Sequence, residues 1–283
     1  MSTHHDSLQR FIINRAHIRG VLVKLQQSYL TIVSQQHYPE RIGHLLGETL
    51  ATAALLTSTI KFQGTLIMQV QNKGPLEMLV AHCDEQFHIR GVAKWREDEN
   101  DFNEALQGGT LAISILPNQG ERYQGIVELE TEDLGQAVET YFAQSEQLAT
   151  LVMLAADERG CAGLLLQRLP NSSADEQDDS YWSDLEAQIR QLYSHELLNL
   201  DNEVLISKLF PDEDIMVYEP EPVSFRCTCS EERSAKAIQT LTQADIDELL
   251  ATSKTIAVTC EFCHHSYHFD AAEVNTIMAT KPQ

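Results

Sequence analysis

The chain has 283 residues, and its 42 acidic side chains outnumber its 20 basic ones, which gives a formal net charge of -22. A hydrophobic content of 43% excludes disorder throughout, and the length suffices for one large domain with one or two smaller ones. Because phosphate binding depends on clustered Lys and Arg, the charge argues against non-specific binding to nucleic acid and to anionic membrane surfaces.

The first fourteen residues contain no continuous apolar stretch of the kind found in signal peptides. No later apolar run approaches the roughly 18 to 20 residues that a membrane span requires. We therefore expect a soluble, cytoplasmic protein that does not enter a membrane.

Helical and strand patterns alternate over residues 1–170. Residues 42–61 are rich in Ala and Leu and predict a helix that is buried on most of its faces. Apolar residues alternate with polar ones over residues 66–80 and 111–129, with turn sequences in the middle of each stretch, and residues 87–91 continue the alternation. These patterns predict a mostly antiparallel sheet.

Two further elements complete this region. A helix is expected at about residues 133–148, with Leu134, Val138 and Phe142 on one face. A hairpin is expected over residues 151–169. Sheet and helices together predict an α+β domain over residues 1–170.

The composition changes abruptly over residues 171–223, which contain 14 acidic and 2 basic residues and no Gly. Residues 171–180 have a loop-like composition. Ser183 and Glu186 then have the spacing of a helix capping box. A second short helix is expected over residues 202–210. Together these features predict an acidic helical linker over residues 171–223.

The linker helices need a docking surface, because short helices are only marginally stable in water. Their apolar side chains recur at helical spacing at Leu185, Ile189, Leu192 and Leu197. Two interpretations stay open. The segment is either a solvated helical linker or a metastable element that unfolds when its support is lost.

Four of the six cysteines lie in two closely spaced pairs near the C-terminus: Cys227, Cys229, Cys260 and Cys263. Two pairs of thiolates suit one tetrahedral zinc ion, which predicts a zinc-binding domain over residues 224–283. Unrelated reduced cysteines, another soft metal and a redox-active Cys-x-x-Cys pair are the alternatives. Four sulfur ligands leave no position for a bound water, so hydrolytic zinc catalysis is disfavoured.

The chemistry of such a site leaves two roles open. A purely structural zinc module is the commoner use of four cysteine ligands. Alternatively, zinc keeps the sulfurs deprotonated and therefore nucleophilic, so that oxidation to disulfides removes the ligands and releases the metal. We expect His264, His265 and His268 to be exposed or to lie outside the ligand set. A capped helix is expected over residues 242–251. Cys83 and Cys161 are expected to be small buried hydrophobic residues.

The chain resembles the 33 kDa chaperonins, a family of redox-regulated heat-shock holdases, over essentially its whole length. The cysteine array with its flanking aromatic residues is the most specific part of the resemblance. The matching residues are Asp6-x-Leu8-x-Arg10-Phe11, Arg19-Gly20, Leu45-Leu46-Gly47-Glu48, Ala53-x-Leu55-Leu56, Lys61-Phe62-x-Gly64, Gly74-Pro75-Leu76, Leu209-Phe210, Val223-x-Phe225-x-Cys227-x-Cys229-Ser230 and Cys260-x-Phe262-Cys263-x-x-x-Tyr267-x-Phe269.

The resemblance implies an ATP-independent chaperone that binds unfolding or aggregation-prone client proteins under oxidative or heat stress, and that is not an enzyme. It implies one zinc ion on the four cysteines in the reduced, inactive state. Oxidation would join Cys227 to Cys229 and Cys260 to Cys263, release the zinc, unfold the linker and give an active homodimer.

Two other functions are compatible with a Cys-x-x-Cys pair or a zinc site. A thiol-disulfide oxidoreductase using Cys260 and Cys263 is disfavoured, because that pair does not begin a helix within a βαβ pattern. A zinc-ribbon module for nucleic acid is disfavoured because residues 226–283 contain five basic residues against eight acidic ones. Motifs of nucleotide hydrolases, serine hydrolases and zinc peptidases are absent from the sequence.

Overall fold

One long helix separates two sheets in the N-terminal part of the molecule. The structure, a computed structural model, describes residues 6–99, 101–170 and 176–280. The chain forms two compact units, residues 1–226 and residues 227–283. The described residues confirm the predicted α+β class, and none of their helices is long and apolar enough to cross a membrane.

The first sheet is antiparallel and has the strand order β10-β1-β2-β9-β8, with β11 also pairing with β1. The hairpin predicted over residues 151–169 is confirmed as its last two strands. The sequence patterns did not predict β1 and β2. Both faces of this sheet are covered, so apolar and polar residues do not alternate regularly along either strand. The strands are β1 (Ser7–Ile13), β2 (Ile18–Leu25), β8 (Thr150–Ala156), β9 (Cys161–Arg168), β10 (Ile215–Val217) and β11 (Glu221–Pro222).

The second sheet has the order β12-β5-β4-β3-β6-β7, and all its pairs are antiparallel except β12 with β5. The two stretches predicted to alternate around a turn, residues 66–80 and 111–129, form hairpins in it. The turn of the first is held by Asn72, whose Oδ1 accepts from the backbone N–H of Gly74 at 3.1 Å. The strands are β3 (Gly64–Gln71), β4 (Leu76–Asp84), β5 (His88–Trp95), β6 (Thr110–Pro117), β7 (Tyr123–Glu128) and β12 (Ser224–Phe225).

The helix between the sheets is α2 (Glu40–Thr59), which confirms the predicted buried helix. It packs against strands of both sheets, so apolar side chains are needed on most of its circumference. The short helix α1 (Gln27–Val33) precedes it. The carboxylate of Asp6 accepts three backbone N–H groups at the start of α1, from Gln26, Gln27 and Ser28. This places a negative charge where the free N–H groups of a helix favour it.

Helix α3 (Leu134–Tyr141) begins at Asp133, whose side chain accepts from the N–H of Gln136. A π-helical turn, Phe142–Glu146, follows it, and Gln147 with φ of 54° ends the helical region. The predicted helix is therefore confirmed, and the apolar face expected for it is buried.

The described part of the acidic segment contains three helices, α4 (Glu176–Ile189), α5 (Ser194–Asn199) and α6 (Asn202–Leu209). Their apolar side chains pack on the face of the first sheet that α2 does not cover. Residues buried in this linker interface are Leu185, Ile189, Leu192, Leu197, Leu205, Ile206, Leu209 and Phe210 from the segment, against Phe11, Ile13, Ile18, Leu22, Leu151, Leu164 and Leu166 from the sheet.

The predicted start of the first linker helix is wrong. Residues 171–175 lie outside the described residues, but residues 176–180 are helical rather than loop. Ser183 therefore lies inside α4 and cannot cap it. Tyr181 and Trp182 pack on the linker interface, and this packing extends the helix ahead of the local capping signal.

The C-terminal unit contains α7 (Glu231–Ile238), α8 (Gln243–Thr252), β13 (Thr255–Thr259), β14 (Ser266–Asp270) and α9 (Ala271–Ala279). Helix α8 confirms the helix predicted within this region, and Thr242 caps it together with Asp245. Five buried apolar residues form the centre of the described part of this unit: Ile238, Ile246, Ile256, Phe269 and Val274. So small a core gives limited stability, and units of this size commonly require a metal or disulfides.

Candidate metal centre

Two loops bring the four paired cysteines together. Cys227 and Cys229 precede α7, and Cys260 and Cys263 lie in the turn that joins β13 to β14. Their Sγ atoms all lie within 4.8 Å of one another. The structure thus assembles the four residues that the sequence singled out, and it does so within one compact unit.

The distances between the sulfurs match a metal site rather than disulfides. Sγ of Cys227 lies 3.6 Å from Sγ of Cys260, and Sγ of Cys229 lies 3.5 Å from Sγ of Cys263. A disulfide would require about 2.05 Å. A tetrahedral zinc ion with sulfur ligands at about 2.3 Å requires sulfurs about 3.8 Å apart. The four thiols therefore fit one zinc ion with little rearrangement.

The turn that carries the second pair is closed by its own backbone. The N–H of Cys260 donates to the carbonyl of His265 at 2.9 Å, and the N–H of His264 donates to the carbonyl of Cys260 at 2.8 Å. His264 adopts a φ of 52°, in the left-handed region that tight turns use. This backbone directs both thiols of the turn to one side.

The loop that carries the first pair is held by Arg233 of α7. Its Nη1 donates to the carbonyl oxygen of Thr228 at 2.8 Å and to Oγ1 of the same residue at 2.7 Å. Ser230 caps α7 by accepting from the N–H of Arg233 at 3.3 Å. The residue between Cys227 and Cys229 is therefore fixed to the start of the helix.

An aromatic side chain contacts one of the sulfurs directly. The hydroxyl of Tyr267 donates to Sγ of Cys229 at 3.3 Å, and this bond raises the pKa of Tyr267 to about 12. The ring of His265 packs edge-on against Tyr267, with centroids 4.6 Å apart. Hydrogen bonds to metal-binding sulfurs orient them and tune their basicity.

Burial and hydrogen bonding act on the thiols in different directions. Burial raises the pKa of Cys227 and of Cys263. Burial acts in the same sense on Cys229, but hydrogen bonds from Tyr267 and the neighbouring thiols outweigh it and lower the pKa of Cys229. A metal ion that binds here must displace protons from several sulfurs, as is general for thiolate sites.

The remaining candidate residues lie where the sequence placed them. His264, His265 and His268 are exposed, and they are not members of the sulfur cluster. Cys83 and Cys161 are buried in the N-terminal unit, and burial raises the pKa of Cys83 to about 12 and that of Cys161 well above its ordinary value. Both act as small apolar residues of the core.

Arg233 and the hydroxyl of Tyr267 belong to the site but were not predicted from the sequence. The position of Arg233, three residues after a Ser that follows the cysteines, was the available signal for a capped helix beside the loop. The cysteine pair in the β13–β14 turn does not begin a helix, which is the position that thioredoxin-like pairs occupy.

Comparisons by family model, by sequence and by structure match this chain to the same group of proteins. A family model described as Hsp33 protein matches residues 6–270. The 33 kDa chaperonin of Shewanella baltica is 41% identical over 277 residues, covering 97% of this chain and 96% of that protein. That of Azotobacter vinelandii is 40% identical over 284 residues, covering 97% and 95%. A crystal structure of the 33 kDa chaperonin of Thermotoga maritima, 19% identical, has the same fold, with a TM-score of 0.85 over 98% of this chain and 99% of that one.

Proposed function

The chain belongs to the Hsp33 protein family and is therefore a chaperone, and from that premise we propose that it is a redox-regulated, ATP-independent holdase. The proposal includes one zinc ion on Cys227, Cys229, Cys260 and Cys263 in the resting state. It divides the chain into a core domain at residues 1–170, an acidic linker at residues 171–223 and a zinc domain at residues 224–283. A cytoplasmic location would keep the thiols reduced.

The observation that carries the proposal is the cluster of four sulfurs within 4.8 Å of one another. Bound zinc would hold these sulfurs as thiolates, which attack oxidants. With hydrogen peroxide as oxidant, four thiolates give up four electrons and form two S–S bonds, and two hydrogen peroxide molecules take up these electrons with four protons and leave as four water molecules. On the resemblance, the bonds join Cys227 to Cys229 and Cys260 to Cys263, and the oxidised sulfurs no longer bind the metal.

Loss of the metal would destabilise the C-terminal unit. Its described core consists of five buried apolar residues, and structural zinc contributes on the order of 10 kcal/mol to the folding of such units. The chain that leads into Cys227 is held by two very short pairings, β11 on β1 and β12 on β5, each of two residues. Pairings of this length give way readily when the structure that follows them unfolds.

The linker is poorly suited to hold its fold alone. Its docking depends on the apolar linker interface and on a few hydrogen bonds and ion pairs that basic side chains make around that interface. Arg190 bonds to Glu139 at 2.5 Å, Arg10 pairs with Glu221, and Nζ of Lys24 donates to the carbonyl of Leu200. The 14 acidic residues repel one another, so release of the docked helices is favoured once their attachment weakens.

Release of the linker would uncover the apolar face of the first sheet that the linker helices bury. Large exposed apolar surfaces bind unfolding proteins, and holding them needs no nucleotide. We propose that these surfaces hold unfolding clients under oxidative or heat stress, and that the oxidised protein acts as a homodimer.

Light scattering of a thermally denaturing client protein tests the proposal. The reduced, zinc-loaded protein and the peroxide-treated protein are compared at equal concentration. We expect suppression of scattering by the oxidised protein only, in proportion to zinc released. Equal lack of suppression by both forms, with zinc release confirmed, would contradict it.

A further inference from the structure

Strand β7 leaves one edge of the second sheet open. It is the last strand in the order of that sheet, and β6 is its only partner among the described strands. Leu129, just beyond β7, donates to the carbonyl of Gly109 on the β6 side at 2.9 Å. Because strand residues alternate in direction, the backbone groups of Gln124, Ile126 and Glu128 point the other way, to the open edge.

These backbone groups have no partner within the described part of the chain. Among residues 6–99, 101–170 and 176–280, no hydrogen bond involves the backbone N–H or C=O of Gln124, Ile126 or Glu128 on the open side of β7. The edge carries no Pro or Lys to block strand addition, although native sheets commonly use such devices. The side chain of Ile126 is 62% exposed, which is high for an aliphatic residue in a strand.

A groove runs along the same edge. It has a volume of about 390 Å³ and lies between β7 and the helical region that begins with α3. The ring of Tyr141 lies against Gly125, where a Cβ atom would be only 2.3 Å from it. Gln136, Thr140 and Gln144 line the groove on the helical side and offer polar groups to a backbone.

The charges at the groove favour one kind of occupant. Glu128 and Glu130 line it, and none of the described residues around it is basic. A second copy of this chain, with its net charge of -22, would bring the same acidic edge against itself. A polypeptide segment with basic side chains would meet opposite charge.

We propose that the open edge of β7 binds an extended, basic and aliphatic segment of an unfolded polypeptide as an additional strand of the second sheet. This inference rests on the proposed chaperone function and names a class of client sequence for it. Backbone hydrogen bonds to residues 124, 126 and 128 provide the binding, and Ile126, Glu128 and Glu130 provide the selectivity. The edge is open with the linker docked, so it binds segments weakly in the reduced protein, and retention of whole clients requires the apolar face beneath the linker.

Amide hydrogen exchange of the full-length, zinc-loaded protein tests the site with three synthetic peptides. The first, the Lys/Val peptide, places one Val and two Lys on the same strand face, to meet Ile126, Glu128 and Glu130; the second, the Glu/Val peptide, has Glu in place of Lys, and the third is the Lys/Val peptide with N-methylated amides. We expect the first peptide to protect the amides of residues 124, 126 and 128 and the second to bind about ten-fold more weakly. The third should protect none of them, because it has no N–H groups to donate to the carbonyls of the edge and its N-methyl groups keep the strand from approaching.

Two variants locate the binding at this edge. Ile126→Pro removes an outward N–H and an apolar contact but no bond to β6, and we expect it to abolish peptide binding. Glu128→Lys combined with Glu130→Lys reverses the charge at the groove, and both side chains are exposed, so the fold should be unchanged. We expect this variant to bind the Glu/Val peptide more tightly than the Lys/Val peptide. The matched control is Glu97→Lys with Glu99→Lys, which changes two exposed acidic residues elsewhere by the same charge.

The outcomes separate this inference from the proposed function. If the oxidised wild-type protein suppresses client aggregation but no peptide protects the three amides, the edge site is wrong and the holdase stands. Protection that appears on concentrating the protein without peptide would assign the edge to a second copy and overturn the inference. If neither redox form suppresses aggregation while the Lys/Val peptide still protects the edge, the holdase fails and the edge is a peptide site of another function.

Discussion

The hydroxyl of Tyr267 and Sγ of Cys229 are 3.3 Å apart, in a hydrogen bond that links β14 to the loop of the first cysteine pair. The same hairpin carries Cys260 and Cys263 in its turn. One side chain thus connects the two halves of the sulfur cluster. Partners of metal ligands commonly affect metal affinity by 10- to 100-fold.

We expect Tyr267→Phe to bind zinc about ten-fold more weakly, because the variant loses the donor to Cys229 and keeps the ring. Competition with a chromogenic chelator measures the affinity. Tyr218→Phe, which removes an exposed hydroxyl from the N-terminal unit, is the control. Unchanged zinc affinity in Tyr267→Phe would mean that the hydroxyl does not support the metal-bound state.

Arg233 is expected to slow the loss of zinc, since its two bonds to Thr228 hold the first cysteine loop in place. Arg233→Ala should release zinc several-fold faster on peroxide treatment, and Arg233→Lys should restore only part of the difference because it lacks the planar fork. The release is followed with a zinc-sensitive dye. Lys236→Ala, one turn further along α7, controls for loss of charge, and equal rates in the two alanine variants would reduce the role of Arg233 to charge alone.

Adjacent residues of α6 provide a test of linker docking. Leu205 is fully buried in the linker interface, whereas Val204 is 52% exposed. We expect Leu205→Ala to destabilise the docked linker by about 2 to 5 kcal/mol and Val204→Ala to change it by no more than about 0.5 kcal/mol. Limited proteolysis of the reduced, zinc-loaded protein should therefore cut the linker of Leu205→Ala only. The same variant should suppress client aggregation in part without oxidant, and full inactivity despite cleavage would show that an open linker is not sufficient.

Lys24, which donates to the carbonyl of Leu200 in the linker, makes the free energy of unfolding depend on pH. Burial lowers the pKa of Lys24 to about 8, while Asp201 acts to raise it. Between about pH 8 and the ordinary value of 10.5 the unfolded chain binds more protons than the folded one, so the contribution of this group to the free energy of unfolding rises with pH. We expect wild type to gain stability relative to Lys24→Met as the pH rises from 7.5 to 10 in denaturant titrations. Lys61→Met, at an exposed position, controls for the lost charge, and a stability difference from Lys24→Met that does not change with pH would contradict the buried cation.

An element was predictable from the sequence where its pattern of apolar residues is compatible with one structure only. Helix α2 was predictable because both of its sides are covered and it must be apolar nearly all round. Strand β2 was not, because a sheet with both faces buried loses the alternation that marks a half-exposed strand. The start of α4 was misplaced because Tyr181 and Trp182 extend the helix through tertiary packing, which a local capping signal does not contain.

One part of the candidate site was predictable from the sequence and another part was not. The four cysteines were predicted from spacing, since ligand pairs on short loops are local in sequence. The bond from Tyr267 to Cys229 joins residues 38 positions apart and depends on how the β13–β14 hairpin meets the cysteine loop. Contacts of that kind follow from the folded geometry alone.

Amide hydrogen exchange of α6, followed during peroxide treatment together with zinc release, tests the central claim most directly. We expect the amides of Leu205 and Leu209 to lose protection in step with zinc loss, while amides of β3 and β4 keep theirs. Reduction and addition of zinc should restore the protection. Complete zinc release with α6 still protected would contradict the coupling of the metal site to the linker.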